Sequence, residues 1–288
     1  MKGNPNQRLK QALAERRALL VPGAANALTA RIIEDLGFEA IYLTGAGLAN
    51  TSLGVPDIGL VTMTELVEAT SAISAATTLP LIVDGDTGFG NELNVVRTVR
   101  ALERAGAAAI QLEDQVFPKK CGHFAGKAVI PAAEMVAKIR AAAEARRSAD
   151  FLLIARTDAR AIEGLDAAIE RAERYAGAGA DVTFVEAPQS VAELAAVTRR
   201  LEMPQVANMV VGGKTPLVGQ KELAAMGFAL VLYANAALQA SVLAMQEVLG
   251  ALRKDGSLAR VANRLASFEE RQRIVGKDEW DKLEKARD

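Results

Sequence analysis

The clearest structural signal in the sequence is the segment Leu79-Pro80-Leu81-Ile82-Val83-Asp84-Gly85-Asp86-Thr87-Gly88-Phe89-Gly90-Asn91. Its first half is a short apolar run of the kind found in buried strands of parallel sheets. Asp84 and Asp86 stand two residues apart at the end of this strand, so their side chains point the same way. The glycines that follow let the backbone bend closely around a ligand. A helix pattern over residues 94–104 comes next, and the stretch therefore predicts one βα unit with paired carboxylates.

The same unit recurs along the chain. Apolar or β-branched runs that predict strands lie at residues 19–22, 40–44, 79–84, 109–113, 151–156, 182–186, 205–208 and 230–234. Helix patterns between them include residues 94–104, 132–146, 166–176 and 191–201. About eight such units approach the ~250 residues of a closed (β/α)₈ barrel, so we predict an α/β fold of the TIM-barrel type. An open doubly wound sheet is the alternative, because periodicity does not reveal closure.

Two segments lie outside the eight units. Residues 6–18 predict a polar-rich helix with Leu9 and Leu13 on one face, which would act as a lid or plug. Residues 238–254 and 258–268 predict two further helices, followed by a charged tail. We therefore expect a barrel domain over residues 1–255 and a helical extension over 256–288 that packs on a neighbouring subunit. The alternative is an extension that folds back on its own barrel.

Composition limits the class of protein. The 288 residues are 50% hydrophobic and 24% charged, which is enough to bury a large core. A net charge of -1 gives no general attraction to nucleic acid or anionic lipid. No apolar run is long enough to cross a bilayer, and the first residues lack the apolar core of a signal peptide. A single cysteine is typical of a protein from a reducing compartment. We therefore expect a cytoplasmic protein without membrane or nucleic-acid partners.

Polar residues recur at the ends of the predicted strands. They are Thr44, Asp84, Asp86, Glu113, Asp114, Arg156, Asp158, Glu186 and Asn208. A barrel would collect all of them at one mouth. Several carboxylates at one rim repel one another, and a hard cation such as Mg²⁺ would relieve that repulsion, while the guanidinium of Arg156 suits a substrate carboxylate. The alternative is that each acid caps the following helix or pairs with a nearby lysine.

The only cysteine and the only histidine lie together in Lys119-Lys120-Cys121-Gly122-His123. Two lysines beside a thiol favour its thiolate form, which serves in proton transfer or as a nucleophile. The alternative is a solvated basic loop in which Cys121 and His123 are incidental. A glycine-rich turn, Thr44-Gly45-Ala46-Gly47, could offer its backbone N–H groups to an anion.

Taken together, these motifs resemble the isocitrate lyase and phosphoenolpyruvate mutase superfamily. The matching segments are residues 42–47, 53–57, 84–90, 112–115, 119–123 and 155–159, within a resemblance that runs from about residue 22 to 252. Within the superfamily the chain is most similar to the short lyases of the methylisocitrate and 2,3-dimethylmalate type. The resemblance implies a (β/α)₈ barrel, a homotetramer in which paired subunits exchange a C-terminal helix, and a Mg²⁺ site with Mn²⁺ as the alternative ion.

The resemblance also implies roles for individual residues. The metal site corresponds to Asp84, Asp86 and Glu113, which would hold the ion partly through water. The substrate site corresponds to Thr44, Gly45, Ala46, Asp57, Gly122, Arg156, Glu186 and Asn208. Cys121 corresponds to a general acid/base on a mobile loop, flanked by Lys119 and His123. Tyr42 is one candidate for the base that takes the substrate's hydroxyl proton.

These roles predict an enzyme that cleaves a carbon–carbon bond of a 2-hydroxy dicarboxylate or tricarboxylate and releases pyruvate. Two alternatives remain: a mutase, hydrolase or decarboxylase of the same superfamily that acts on a phosphonate or oxaloacetate, and a barrel that binds a diacid without catalysis. Two positions depart from the pattern. Lys120 stands where methylisocitrate lyases carry arginine, and Val211 where relatives carry glutamate, which predicts a more apolar pocket side or a broken polar network around Cys121.

Overall fold

The described chain forms a barrel of eight parallel strands surrounded by helices. The structure is a computed structural model that describes residues 3–122 and 126–286. The strands are β1 (Leu19–Ala24), β2 (Ile41–Leu43), β3 (Leu81–Asp84), β4 (Ala109–Glu113), β5 (Leu152–Thr157), β6 (Val182–Val185), β7 (Val206–Asn208) and β8 (Leu230–Tyr233). All eight lie within or next to the predicted runs, and β4 has the predicted bounds.

The strand order shows that the sheet closes. Consecutive strands pair in parallel from β1 to β6, β7 pairs with β8, and β8 pairs with β1. The β1–β8 pairing aligns Leu19 with Leu230 and Pro22 with Tyr233. A parallel bridge between Thr183 and Gln205 connects β6 to the β7 side. The predicted barrel is confirmed, and the open doubly wound sheet is excluded, because β6 and β7 are the two ends of the hydrogen-bonded order and this bridge joins them.

Helices follow the strands and cover the outside of the barrel. They are α1 (Pro5–Glu15), α2 (Ala27–Asp35), α3 (Gly45–Leu48), α4 (Met63–Ala76), α5 (Glu92–Arg104), α6 (Ala132–Ala145), α7 (Leu165–Gly177), α8 (Val191–Arg200), α9 (Gln220–Met226), α10 (Ala236–Asp255), α11 (Phe268–Ile274) and α12 (Lys277–Lys285). The glycine-rich turn after β3 ends at Asn91, whose side chain accepts hydrogen bonds from the N–H groups of Leu93 and Asn94 and so begins α5.

The N-terminal helix α1 plugs the barrel. Leu9 and Leu13 are buried and pack in one cluster with Leu19, Ala108 and Leu152 from the N-terminal halves of strands or the residues just before them. This cluster forms the apolar floor of the barrel interior. Of the two predicted roles for α1, the structure therefore supports the plug. The polar side chains of the strand ends lie at the opposite, C-terminal end of the barrel.

The C-terminal extension is only partly as predicted. Residues 258–268 do not form one α-helix: a 3₁₀ segment covers Ala259–Arg264, and Ser267 caps a new helix by accepting the N–H of Glu270. Helix α11 lies on α2 of the same chain, where Arg273 forms an ion pair with Asp35. Helix α10, in contrast, exposes much of its apolar surface, including Leu243 and Leu249. Within residues 3–122 and 126–286, no helix has the length and apolar character needed to span a membrane.

Closure of the barrel depends on close contact at Gly23 in β1. A Cβ at this position would lie 1.8 Å from the carbonyl oxygen of Ala234, just after β8. We expect Gly23→Ala to lower the free energy of unfolding by about 2 to 3 kcal/mol, because neither backbone can move without breaking the β1–β8 pairing. Urea unfolding followed by circular dichroism measures this.

Gly177→Ala is the matched control. Gly177 is the last residue of α7, and a Cβ there would meet no heavy atom within 4 Å. Alanine should leave the unfolding midpoint unchanged or raise it, since alanine favours helix by about 0.5 to 1 kcal/mol over glycine. Equal midpoints for the two variants would contradict the role of Gly23.

Candidate active site

A cavity of about 40 Å³ lies at the C-terminal ends of the strands, opposite α1. The sequence-predicted residues that line it are Tyr42, Thr44, Ala46, Asp57, Asp84, Lys119, Cys121, Gly122, Arg156, Glu186 and Asn208. Lys120, Phe184, Val210, Leu232, Ala234 and Asn235 complete the wall. A volume of this size holds only a few water molecules, since one water needs about 10 to 15 Å³ by this measure. The loop that carries Cys121 is therefore closed over the site.

Three hydrogen bonds fix the carboxylate of Asp84 in the wall of the cavity. Its Oδ2 accepts the N–H of Gly45 at 3.3 Å, and its Oδ1 accepts the side-chain N–H of Gln111 at 3.3 Å. The same Oδ1 accepts the N–H of Asp86 at 3.3 Å, and Asp86 has a positive φ of 47°. A non-glycine residue in this conformation is strained, and such strain is typical of sites where the backbone positions a ligand group.

Lys119 places its ammonium group among the carboxylates. Its Nζ lies 2.5 Å from Asp57 Oδ1 and 2.7 Å from Asp86 Oδ1, and its side chain is 4% exposed. Burial lowers the pKa of Lys119, but Asp86, Glu113 and Asp84 outweigh burial and raise the pKa well above its usual value. Lys119 therefore stays charged and is the main local compensation for the acids.

Burial makes the acids themselves reluctant to ionise. Desolvation raises the pKa of Asp86 to about 7, with Asp84 adding to the rise and Lys119 opposing it. Desolvation also raises the pKa of Glu113 well above its usual value, although Arg156 opposes it. The same cause, with the charge of Asp84, raises the pKa of Tyr42, so its hydroxyl stays protonated and donates to Gln111 Oε1 at 3.0 Å. The site therefore contains more buried carboxyl groups than its cations can neutralise.

This excess of carboxylate fits a hard divalent cation by donor chemistry. Glu113 Oε1 is buried and accepts no hydrogen bond from the part of the chain that the structure describes. Asp84 and Asp86 both approach the same point near Gly45, where an added Cβ would lie 3.2 Å from Asp84 Oδ2 and 3.4 Å from Asp86 Oδ1. Within the described ranges, however, no three acidic, histidine or cysteine side chains converge closely enough to bind an ion directly. A cation here would need water to complete its coordination.

The guanidinium of Arg156 contacts three carboxylates. Its Nε and Nη2 donate to the two carboxylate oxygens of Asp158 at 2.9 and 3.1 Å. Its remaining N–H groups approach Glu113 Oε2 and Glu186 Oε2, each at 3.4 Å. The guanidinium also lies over the ring of Phe184, 5.3 Å from its centre. The two-pronged edge expected to bind substrate is therefore occupied by Asp158, although Arg156 lines the cavity.

Thr44 and Asn208, two further predicted polar residues, form hydrogen bonds between strand ends at the rim. Thr44 Oγ1 donates to Asn235 Oδ1 and accepts the N–H of Gly47, both at 3.3 Å. Asn208 Nδ2 donates to Glu186 Oε2 at 3.2 Å. The sequence prediction had missed Asn235, which follows β8. It had also missed Gln111, although its spacing of two from Glu113 on β4 puts both side chains on the inner face.

Several contacts hold the Cys121 loop down on the barrel. The N–H of Cys121 donates to the carbonyl oxygen of Asp57 at 3.2 Å. Gln115 accepts the N–H of Lys120 at 2.9 Å and donates to the Lys120 carbonyl at 2.8 Å. Gly122 packs so tightly that a Cβ would lie 2.5 Å from Arg156 Nη2. Any larger residue at 122 would therefore hold the loop open.

Lys127 forms a further anchor that the sequence prediction had missed. Its ammonium donates to both the Gly122 carbonyl and Asp158 Oδ1, and its side chain is almost fully buried. Asp158 thus holds Arg156 on one side and the loop on the other. His123 lies outside the described residues, so its predicted role stays a prediction.

Two sequence-based expectations about this site are wrong. Asp114 does not join the mouth: it faces outward and accepts hydrogen bonds from Thr157 Oγ1 at 2.7 Å and Tyr175 OH at 2.8 Å, because it follows the inward-facing Glu113. Val211 does not line the pocket either. It is 61% exposed in the turn after β7, and Val210 faces the cavity instead.

The chain is similar to known proteins over nearly its whole length. The family model described as phosphoenolpyruvate phosphomutase matches residues 9–253. The chain is 44% identical over 273 residues to a 2,3-dimethylmalate lyase of Eubacterium barkeri, covering 95% of this chain and 94% of that protein. It is 44% identical over 278 residues to a 2-methylisocitrate lyase of Aeropyrum pernix, covering 96% and 89%. A crystal structure of 2,3-dimethylmalate lyase superposes with a TM-score of 0.92 at 34% identity, covering 98% and 95%.

The ion pairs of Lys119 yield a stability prediction. In metal-free buffer at pH 8, Lys119→Met should lower the free energy of unfolding by about 3 kcal/mol or more, since it leaves buried carboxylates without their partner. The loss should shrink at pH 5. The pKa of Asp86 is about 7 in the folded protein and about 3.9 when unfolded. Folding therefore takes up a proton between about pH 4 and pH 7, and stability rises as the pH falls from 7 toward 4. At pH 5 Asp86 is protonated in the folded protein, so the loss of the Lys119 charge costs less there.

Lys277→Met is the control, because Lys277 forms an exposed ion pair with Asp281 on α12. Its unfolding midpoint should stay near that of the unmodified protein at both pH values. A Lys119→Met loss that is equal at pH 8 and pH 5 would contradict the assigned titration of Asp86.

Proposed function

The chain belongs to the phosphoenolpyruvate phosphomutase family, and from this we propose that it is a Mg²⁺-dependent carbon–carbon lyase. Its substrate in this proposal is a 2-hydroxy dicarboxylate or tricarboxylate of the 2,3-dimethylmalate or 2-methylisocitrate type, cleaved to pyruvate and a small carboxylate. The observation that carries the proposal is that the thiol-bearing Cys121 lines the same closed cavity as Asp84 and Arg156. A proton donor and a buried acid cluster thus face one small volume.

The reaction breaks the bond between C2 and C3 of the substrate. The C2 hydroxyl loses its proton and becomes the keto oxygen of pyruvate, while the bonding electron pair moves to C3 and gives an enolate of the departing carboxylate. The thiol of Cys121 then protonates C3. Asp84, Asp86 and Glu113 are the residues that would hold Mg²⁺, which when bound supplies a Lewis acid beside the substrate oxygens. The proton lost by the hydroxyl restores the Cys121 thiol at the end of the cycle, so all atoms of the substrate appear in pyruvate and the departing carboxylate.

Other residues serve this step by charge and by exclusion of water. Lys119 lines the cavity as a fixed ammonium, which favours the developing negative charge. Tyr42 keeps its proton and donates a hydrogen bond to Gln111, so in this proposal it orients the Gln111 side chain and is not the hydroxyl base considered from the sequence. The Gly122 contact with Arg156 keeps the cavity small, and a strongly basic carbanion is then shielded from protons of bulk solvent.

We also propose an oligomer in which paired subunits exchange a C-terminal helix, assembled as a homotetramer. The exposed apolar residues of α10, such as Leu243 and Met245, support such packing on a neighbour. In this arrangement residues 1–255 form the catalytic barrel and residues 256–288 contribute to subunit contacts. The proposed location is the cytoplasm, where a lone reactive thiol such as that of Cys121 stays reduced.

Coupled detection of pyruvate across a panel of branched malates and methylisocitrate, with EDTA or with Mg²⁺, tests the activity. We expect pyruvate only with the metal. Cys121→Ser should lower kcat/KM by about 10²- to 10⁴-fold, the usual contribution of a general acid, while its unfolding midpoint stays unchanged. Turnover of phosphonopyruvate or oxaloacetate that is insensitive to Cys121→Ser would favour the mutase, hydrolase or decarboxylase alternative. Tight binding without turnover would favour the non-catalytic barrel.

Substrate choice is tested at Lys120. Its side chain lines the cavity and donates to the Gly126 carbonyl at 2.9 Å. We expect Lys120→Arg to raise kcat/KM for the tricarboxylate relative to the dicarboxylate by about tenfold, because arginine adds a two-pronged donor for an additional carboxylate. Lys221→Arg, on exposed α9, is the control and should leave the ratio unchanged. A ratio unchanged in both variants would remove Lys120 from substrate selection.

A further inference from the structure

A second, larger cavity of about 670 Å³ lies beside the active site and shares none of its lining residues. It is open to solvent on one side and is bordered by the loops before α4 and after β3 and β4, and by one face of α6. Its apolar wall includes Leu60, Val61, Phe89, Val116, Phe117 and Ile130. A volume of this size is typical of small-molecule sites, and nothing in the proposed lyase reaction uses it.

One cation faces this apolar space. Lys138 of α6 lines the cavity and is only 5% exposed. Its Nζ donates to the carbonyl oxygen of Thr87 at 3.2 Å, which uses one of its three N–H bonds. Across the described ranges no carboxylate forms an ion pair with it; Glu134 and Glu92 are near enough only to raise its pKa in part, against the lowering caused by burial. An ammonium group buried in this way lacks its anion.

The helices around the cavity add to its positive potential. Thr62 and Asn91, the capping residues of α4 and α5, both line it, so the N-terminal ends of two long helices meet there. The charges that oppose this potential are Glu134, which is exposed at the edge of the cavity, Glu92, and Glu65 in the first turn of α4, whose carboxylate accepts the N–H and the hydroxyl of Thr62. A ligand that matches this cavity is an elongated apolar molecule with a single anionic group.

We propose that this cavity binds a medium-chain monocarboxylate, with the carboxylate on Lys138 and the hydrocarbon chain against Val61, Phe89 and Ile130. The ammonium of Lys138 gains a charge-assisted hydrogen bond, and the apolar wall gains a partner that water does not provide. The site is separate from the 40 Å³ cavity, so its occupation does not require displacement of the lyase substrate.

The cavity also contacts the loop that carries Cys121. Gln115, which lines it, holds both backbone groups of Lys120. Phe117, also in its wall, packs near Gly59, whose added Cβ would lie 3.4 Å from the Phe117 ring and 3.3 Å from the N atom of Lys119. A chain packed against Gln115 and Phe117 stabilises this closed arrangement. Bound carboxylate therefore slows exposure of the Cys121 thiol.

Calorimetric titration with hexanoate, octanoate and decanoate, each below its micelle concentration, tests the site. Each added methylene should tighten binding by about fourfold while the chain still fits. Lys138→Met keeps the apolar stem and should weaken decanoate binding by about tenfold or more. Lys221→Met, an exposed lysine on α9, should bind as the unmodified protein does. Leu60→Glu, at a half-exposed wall position that tolerates a polar residue, should also weaken binding by placing a like charge beside the carboxylate.

Alkylation gives a second readout that does not depend on activity. Cys121 is the only cysteine of the chain, so its rate of reaction with iodoacetamide reports opening of the loop. Decanoate should slow alkylation severalfold in the unmodified protein and in Lys221→Met, but not in Lys138→Met. Absence of saturable binding, or decanoate affinity and protection that are equal in Lys138→Met and the unmodified protein, would overturn the proposal. Failure of the lyase assay would leave it unaffected.

Discussion

The ion pairs of Lys119 with Asp57 and Asp86 are the interaction on which the site depends. A barrel brings the ends of its strands to one mouth, and here that geometry gathers carboxylates that burial makes costly to ionise. Lys119 compensates part of this charge, and it belongs to the same loop as Cys121. One ammonium group therefore both neutralises the acids and sets the position of the thiol. Movement of the loop and charge balance at the mouth are coupled for this reason.

Asp158 has a comparable connecting role on the other side of the mouth. It is fully buried, and Arg156 and Lys127 together keep its pKa below its usual value despite desolvation. Arg156 reaches from there to Glu113 and Glu186, and Lys127 reaches to the Gly122 carbonyl. Two cations and three acids thus form one network around the cavity. Removal of any member would leave a buried charge without its partner, which costs more than the loss of an exposed pair.

Much of this arrangement followed from the sequence because strands alternate their side chains and parallel strands share an edge. Those two rules predicted eight βα units and placed Asp84, Asp86, Glu113, Arg156 and Glu186 at one mouth. The same alternation, applied strictly, would have sent Asp114 outward and brought Gln111 inward. Closure of the barrel could not be read from periodicity, because it depends on the β1–β8 pairing at Gly23, a contact between residues about 210 apart in the chain.

Features that depend on tertiary contacts alone were beyond the sequence pattern. The sequence around Lys127 does not indicate that this residue pairs with Asp158. The turn that exposes Val211 and directs Val210 into the cavity has no periodic pattern that would predict it. The apolar spacing over residues 258–268 resembled a helix, yet Ser267 starts a new one there because its hydroxyl satisfies the N–H of Glu270. Local capping chemistry overrode hydrophobic periodicity in this segment.

The plug formed by α1 has a consequence for access to the mouth of the barrel. Leu9 and Leu13 seal the floor of the barrel, so the strand interior offers molecules a path only at the end where the loop lies. Entry and exit then share one doorway. A molecule that reaches the polar mouth, and any product that leaves it, must therefore pass the loop that carries Cys121.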